Sequence, residues 1–204
     1  MSKHNIVSLD DMLEQLGEDK TRSILSSFLC PLNPDVEFFI RKKAIEFSKQ
    51  SLARTFLVFS SFKKEQVPVG YFALANKEIT FSDKRVKNVS KTAIKRMKKF
   101  AYRDGIRGCN VIVSPLIAQL SKNFLNGYDQ LITGNDLLYY AIEKVREAQK
   151  ILGGKTVYIE CEDIPELTRF YESNGFYNFG LRALDKDEVS SVGATQLIQM
   201  LKYL

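Results

Sequence analysis

Apolar positions recur every three or four residues through the first fifty positions and then alternate in short runs, so helices give way to mixed strands and helices. Ser8 to Leu16 puts Leu9, Met12, Leu13 and Leu16 on one side, with Ser8 and Asp11 as a capping pair. A second helix is expected over about Lys20 to Leu29, carrying Ile24, Leu25 and Phe28 inward, and Cys30-Pro-Leu-Asn-Pro34 breaks it. Asn33 then caps a longer helix with Pro34 in its first turn and Val36, Phe39, Ile40, Ala44 and Phe47 as its buried stripe. Thr55 to Phe62 and Val69 to Ala75 are β-rich on either side of a polar turn, Lys63 to Pro68, which is a hairpin pattern. Gly70 inside the second strand permits close backbone approach. Ser90 to Tyr102 reads as a helix with Ala93, Ile94, Met97, Phe100 and Ala101 on one face and Lys91, Lys95, Lys98 and Lys99 largely opposite.

The second half alternates strand and helix. Asn110 to Leu120 fits a strand buried on both faces, with Pro115 requiring an edge or a bulge. A polar loop, Ser121 to Tyr128, follows. Thr133-Gly134-Asn135-Asp136 opens a long helix lined by Leu137, Leu138, Ala141, Ile142, Val145 and Ala148, and Gly153-Gly154 ends it. The N–H groups and positive dipole end at its start suit an anion. Val157 and Ile159 mark a further strand; Asp163 and Glu166 form a capping-box pattern around Pro165. Leu167, Phe170 and Tyr171 recur at helical spacing, and Asn174-Gly175 stops that helix. Phe176 to Arg182 and Gln196 to Lys202 read as strands around an acidic loop at Asp185, Asp187 and Glu188.

At 204 residues and 45% hydrophobic content the chain suits one domain, or one domain with an extension. No apolar run approaches the 18 or so residues of a membrane span, and no signal-peptide core precedes Asp10 and Asp11. Cys30, Cys109 and Cys161 are odd in number and lack metal-ligand spacing, which points to reduced thiols, no metal centre and a cytoplasmic location. The one histidine, His4, lies near an end expected to be mobile, so a Ser-His or Cys-His catalytic pair is excluded. The net charge of +6 is local: Lys84 to Arg107 holds ten basic residues against Asp104 alone, which leaves the remainder net acidic. Such a face suits an anionic partner.

The closing strand, helix and strand, with Phe170-Tyr171-x-x-x-Gly175-Phe176 at its end, resembles the last strand–helix–strand element of the GNAT N-acetyltransferases. Val69-Gly70-Tyr71-Phe72 resembles their third strand. The resemblance spans about Asp35 to Leu204. It implies an α/β (equally α+β) fold, a mixed twisted sheet with helices on both faces. Residues 1–32 would form a helical extension packed on a 33–204 acetyltransferase domain. It also implies acetyl-CoA as co-substrate and direct attack by an amine, with Tyr171 facing the thioester sulfur and protonating the leaving thiolate. The fourth strand, ending at Leu120 and Ser121, would splay from the fifth and take the pantetheine arm. Thr133, Gly134, Asn135, Asp136 and Leu137 would cradle the pyrophosphate. Here the sequence departs from the family's Gln/Arg-x-x-Gly-x-Gly/Ala: only Gly134 is in register, Asp129 stands where Gln or Arg is usual, and Ile132 replaces the middle glycine.

A basic helical insertion between the third and fourth strands, with Asn33-Pro-Asp-Val-Glu-Phe-Phe upstream, looks like the aminoacyl-tRNA-acetylating, toxin-like subgroup. In that subgroup's manner Lys91, Lys95, Lys98 and Lys99 would face RNA. For a general base the fourth strand offers only Gln119; Glu160 and Glu162, at the end of the fifth, are expected to be solvated or helix-capping. The expected function is acetyl transfer to an amine whose identity the sequence leaves open. The alternatives are a toxin-type aminoacyl-tRNA acetyltransferase and a binding module of the same fold without catalysis. Oligomeric state stays open, a homodimer included.

Overall fold

A computed structural model of the chain describes residues 4–81, 91–184 and 195–204. Lys84, Arg85 and Lys87 of the basic segment, and the acidic loop at Asp185, Asp187 and Glu188, lie outside the described residues. In chain order the elements are β1 (Asn5–Ser8), α1 (Leu9–Leu16), α2 (Glu18–Ser26), α3 (Pro34–Phe38), a π-helical turn (Phe39–Lys43), α4 (Ala44–Lys49), β2 (Arg54–Phe62) and β3 (Glu65–Phe81). There follow α5 (Lys91–Lys98), β4 (Tyr102–Asp104), β5 (Cys109–Lys122), a 3-10 segment (Leu125–Leu131), α6 (Gly134–Leu152), β6 (Thr156–Cys161), α7 (Pro165–Ser173), β7 (Tyr177–Ala183) and β8 (Gln196–Tyr203). The result is a mixed α/β fold with an open sheet of parallel and antiparallel pairs. Among the described residues no helix is long and apolar enough to cross a membrane.

The chain divides into two compact units, Met1–Ala75 with Ile117–Lys144, and Asn76–Leu116 with Val145–Leu204. In the first unit β1 pairs antiparallel with β2, and β2 with β3. Local chemistry sets its helix starts: Ser8 Oγ accepts from Asp11 N at 3.0 Å, and Asn33 Oδ1 accepts from Asp35 N and Val36 N. Leu9, Met12, Leu25, Phe28, Phe39, Ile40 and Ala44 bury against Leu57, Tyr71 and Ala73 of the sheet. Tyr71 is wholly buried, and its hydroxyl donates to Val36 O at 2.6 Å, so the core aromatic keeps its polar end satisfied.

The single helix expected after Asn33 is interrupted by the π-helical turn Phe39–Lys43, and three further features of this unit depart from the sequence reading. The N-terminal segment opens with a strand, β1, and His4 just before it is buried rather than mobile. Leu131 O can only accept, so His4 Nε2 donates to it at 3.0 Å, and in the neutral ring the Tyr140 hydroxyl, 2.9 Å away, donates to Nδ1. The polar turn expected over Lys63 to Pro68 contracts to Lys63 and Lys64, both at positive φ (50° and 71°), as a two-residue hairpin with right-twisted strands requires. Pro68 falls within β3, opposite Phe59 where the register shifts.

Gly70 fulfils its expected role. A Cβ at this position would stand 3.0 Å from Ser121 O and 3.3 Å from the Leu137 methyls, so β3 touches β5's backbone and α6 at one point. Gly70→Ala is expected to cost about 1–3 kcal/mol, as overpacking does, because one of the opposing atoms is main chain. Urea unfolding checks this; an unchanged midpoint at constant slope contradicts it.

The second unit orders its strands β5-β6-β8-β7, with β4 on β5. β5 and β6 run parallel, registered at Leu116↔Tyr158, whereas β6–β8 and β8–β7 are antiparallel. Ile112, Tyr158, Phe179 and Leu201 pack with Ile79, Phe81 and Met97, with Ile94 and Ala101 partly buried against them, whereas Phe100 of the expected apolar face is exposed.

Candidate functional site

In the first unit, the end of β5 and the start of α6 carry the residues expected to hold acetyl-CoA. β5 is registered with β6 only at Leu116↔Tyr158, so past that point Ile117 to Lys122 presents main-chain groups with which a pantetheine amide could pair as a strand does. Asn123, wholly buried, fixes that end of β5. Its Oδ1 accepts from Leu29 N and Leu125 N (both 3.1 Å), its Nδ2 donates to Pro68 O at 2.8 Å, and its N–H donates to Val69 O at 2.8 Å. Sequence reasoning missed Asn123, since an Asn in a polar stretch reads as a loop residue. Ser121 Oγ donates to Lys122 O (2.9 Å) and lies 3.3 Å from Cys30 Sγ. Cys30 is buried and its thiol is pushed up, first by that burial.

α6 begins with a reciprocal cap. Thr133 Oγ1 accepts from Asp136 N (3.0 Å), while Asp136 Oδ2 accepts from Thr133 N (3.1 Å) and the Thr133 hydroxyl (2.7 Å). Leu137 N already donates to Thr133 O. Of the five residues assigned to the cradle, Gly134 and Asn135 stand at the first two positions of α6. The Asp136 carboxylate, which would repel a phosphate, is turned back onto the cap. This fits a diphosphate on main-chain donors and needs neither the missing glycine nor an arginine. Asp129 O takes a hydrogen bond from Lys122 Nζ at 3.1 Å.

In the second unit, α7 carries Tyr171. Phe176 N donates to Tyr171 O (3.0 Å) and Gly175 N to Glu172 O (2.9 Å), with Gly175 at φ 79°, which is a Schellman stop. Its usual apolar contact is Tyr171 against Phe176, ring centres 5.7 Å apart. The Phe-Tyr-x-x-x-Gly-Phe pattern thus has a structural cause of its own. Tyr171 is half-buried, and among the described residues no protein group hydrogen-bonds its hydroxyl. Burial raises its pKa above the ordinary tyrosine range, with Cys161 adding to the shift, so the phenol stays protonated at any working pH. The expected Asp163–Glu166 capping box does not form: the cap is Ile164, without a side-chain bond, because Pro165 at the first helical position leaves one fewer N–H to satisfy. Glu166 pairs with Arg169 instead.

Glu160, expected to be solvated or capping, is the hub of a buried network. Arg182 grips it from Nε to Oε1 (2.7 Å) and from Nη2 to Oε2 (2.8 Å); Lys77 Nζ reaches Oε2 at 3.1 Å, and the Tyr158 hydroxyl donates to Oε1 at 2.6 Å. Gln199 Nε2 donates in turn to Tyr158 Oη at 2.8 Å. Burial pushes the Glu160 carboxyl up, but Arg182, Tyr158 and Lys77 together outweigh it, and the net shift is down. With both oxygens engaged by donors it is a structural anion and no base.

Lys95 and Lys98 on α5, and Lys99 just past its end, have exposed side chains beside Arg96, which lies over the Tyr203 ring at 5.9 Å. Lys91 begins the helix, and its side chain lies outside the described residues. Phe100 packs edge-on to Tyr203 at 5.3 Å, so this basic face has aromatics within it. Among the described residues no cluster of three or more His, Cys, Asp or Glu could hold a metal ion.

No protein-family model matches the sequence, and no curated protein matches it. Solved structures do. A tyrosine-to-phenylalanine mutant of KacT is 16% identical, with 97% of this chain and 94% of that one covered at a TM-score of 0.61. AtaT complexed with acetyl-methionyl-tRNAfMet is 19% identical, covering 96% and 93% at 0.59. AtaTR bound with AcCoA is 16% identical, covering 97% and 93% at 0.54. At such identities the likeness speaks for the fold, and this chain has the GNAT-like fold of KacT and AtaT.

Proposed function

We propose that this protein transfers an acetyl group from acetyl-CoA to the amino group of an aminoacyl-tRNA by direct attack. The observation that supports the reading is the likeness, over 96% of the chain, to AtaT complexed with acetyl-methionyl-tRNAfMet. The exposed lysines of α5 agree with it, since RNA binding draws on phosphate contacts. Lys91, Lys95, Lys98 and Lys99 hold the RNA backbone.

Acetyl-CoA supplies an acetyl group activated as a thioester. Gly134 and Asn135, within the Thr133 to Leu137 helix start, hold its diphosphate, and the β5 edge at Leu120 and Ser121 holds its pantetheine amides. The amine nitrogen bonds to the acetyl carbon, and the C–S bond breaks with its electron pair on sulfur. Tyr171 donates its phenolic proton to that sulfur, and the proton shed by the amine returns to Tyr171 through water. A thiol of pKa about 8.5 is a stronger acid than this phenol, so Tyr171 acts late, hydrogen-bonding the developing thiolate before releasing the proton. No side chain carries the acetyl group: the Cys161 thiol is buried and pushed up to about 11, too high to supply thiolate.

Incubation with radiolabelled acetyl-CoA tests the reading. Label is expected on aminoacylated tRNA and absent from deacylated tRNA and free amino acids. Saturating acetyl-CoA, at about 100 times its Kd, should stabilise the protein by about 2.7 kcal/mol. Equal transfer to a small amine would favour a general N-acetyltransferase. No thermal shift at millimolar acetyl-CoA would leave a binding module without catalysis.

A further inference from the structure

Among the described residues two buried side-chain polar atoms lack any hydrogen-bond partner: Thr55 Oγ1 at the start of β2, and Gln119 Oε1 near the end of β5. A buried carbonyl oxygen without a donor is costly to keep, so the second calls for a ligand. We propose that Gln119 Oε1 receives an N–H of the attacking amine and so positions the acceptor, an inference that rests on the acetyl-transfer reading above.

Three observations carry it. Gln119 lies two residues before Ser121, so both stand on one face of β5. Ser121 Oγ is 3.3 Å from Cys30 Sγ, which places this face beneath the α2–α3 turn. At that turn Cys30, Pro31, Pro34, Glu37, Phe38, Arg41 and Lys42 line an open groove. The groove is basic at its rim, because Glu37 is spent on Cys30 N (2.8 Å) and on Arg41, leaving Lys42 in excess. An anionic acceptor such as the end of an RNA chain suits it.

The choice among N–H donors follows from direction. Pantetheine amides would meet main-chain groups in the plane of the sheet, along the β5 edge, whereas a side chain stands roughly perpendicular to that plane. The thioester and the diphosphate offer only acceptors. The amine brings two N–H groups, or three as the ammonium, and needs an acceptor that fixes its lone pair without taking its proton. An amide oxygen does this, being a hydrogen-bond acceptor that is not a base at working pH. Gln119 therefore binds and aims the nucleophile, and the amine's proton leaves to water.

Gln119→Met is the test, being close in shape and lacking the polar oxygen. Removing an unpartnered buried oxygen should leave the melting temperature unchanged or raised. Acetyl-CoA affinity by calorimetry should stay within about twofold, and kcat/KM for aminoacylated tRNA should fall about 10–100-fold, the worth of a hydrogen bond to a charged group. Gln119→Glu keeps an inward acceptor and should retain more activity than the methionine variant, with a new acidic limb in its pH profile. Weakened acetyl-CoA binding in Gln119→Met would assign the oxygen to the pantetheine arm and overturn the proposal. So would an unchanged kcat/KM, or a lowered melting temperature with no change in rate. If the wild-type protein binds no acetyl-CoA at all, the acetyl-transfer reading itself fails, which the calorimetry separates from failure at Gln119.

Discussion

Tyr171→Phe is expected to lower kcat by about 10²–10⁴-fold while acetyl-CoA affinity stays nearly constant. The phenylalanine ring keeps the edge contacts with Phe170 and Phe176, and the Schellman bonds are main-chain, so the helix stop survives the change. The lost hydroxyl has no partner among the described residues, so stability should hold or rise slightly. Only the charge developing on sulfur loses its proton donor, and the cost therefore appears in kcat. Burial lifts the phenol above the ordinary tyrosine range, so an alkaline fall in rate below about pH 10 would belong to another group. Steady-state rates with aminoacylated tRNA, beside calorimetry with acetyl-CoA, decide the matter. An unchanged kcat would reduce Tyr171 to the apolar contact of its own helix stop.

Glu160→Gln should be the most damaging conservative change to stability. The amide keeps the shape but removes the charge facing Arg182 and Lys77, whose side chains are 21% and 29% exposed. Breaking a buried pair costs about 3–5 kcal/mol, and this partial exposure argues for the lower end, about 3 kcal/mol. For a chain of this size that is roughly 6–12 °C in melting temperature. The sign with pH follows from the lowered carboxyl pKa. The folded protein binds the Glu160 proton less readily than the unfolded chain, so the stabilisation is complete above about pH 4.3 and is lost as pH falls through the folded value. The variant should lack that part of the acid dependence. A melting point within a degree of wild type at neutral pH would refute the hub.

What could be read from the sequence is what neighbouring residues decide among themselves. The caps at Ser8, Asn33 and Thr133 and the Gly175 stop involve partners within a few positions and formed where spacing placed them, as did most of the apolar stripes of the N-terminal helices, with Leu16 left exposed. Local chemistry also misled where a proline altered the count of free N–H groups, as at Asp163, and where two lysines without turn preference took positive φ under the twist of their strands. The Phe-Tyr-x-x-x-Gly-Phe pattern was legible for the same reason: it is a helix stop made by residues within a few positions.

Partners distant in sequence decided the rest. His4 finds Leu131 and Tyr140, and Asn123 finds Leu29 and Pro68, across separations no periodicity encodes. Lys77 and Arg182 make Glu160 a buried anion, though its place at a strand end reads as solvated. Gln119 stood out in sequence only as the one candidate base on its strand, and it is packing that excluded water from its oxygen and supplied no donor. The sequence by itself determined most of the helices and long strands, the basic helix and the place of Tyr171 on its helix, because these follow from short-range spacing, whereas β1, β4 and the π-helical turn did not show in it. Which buried polar atoms are satisfied was decided by tertiary packing alone, because burial is a property of everything that surrounds an atom.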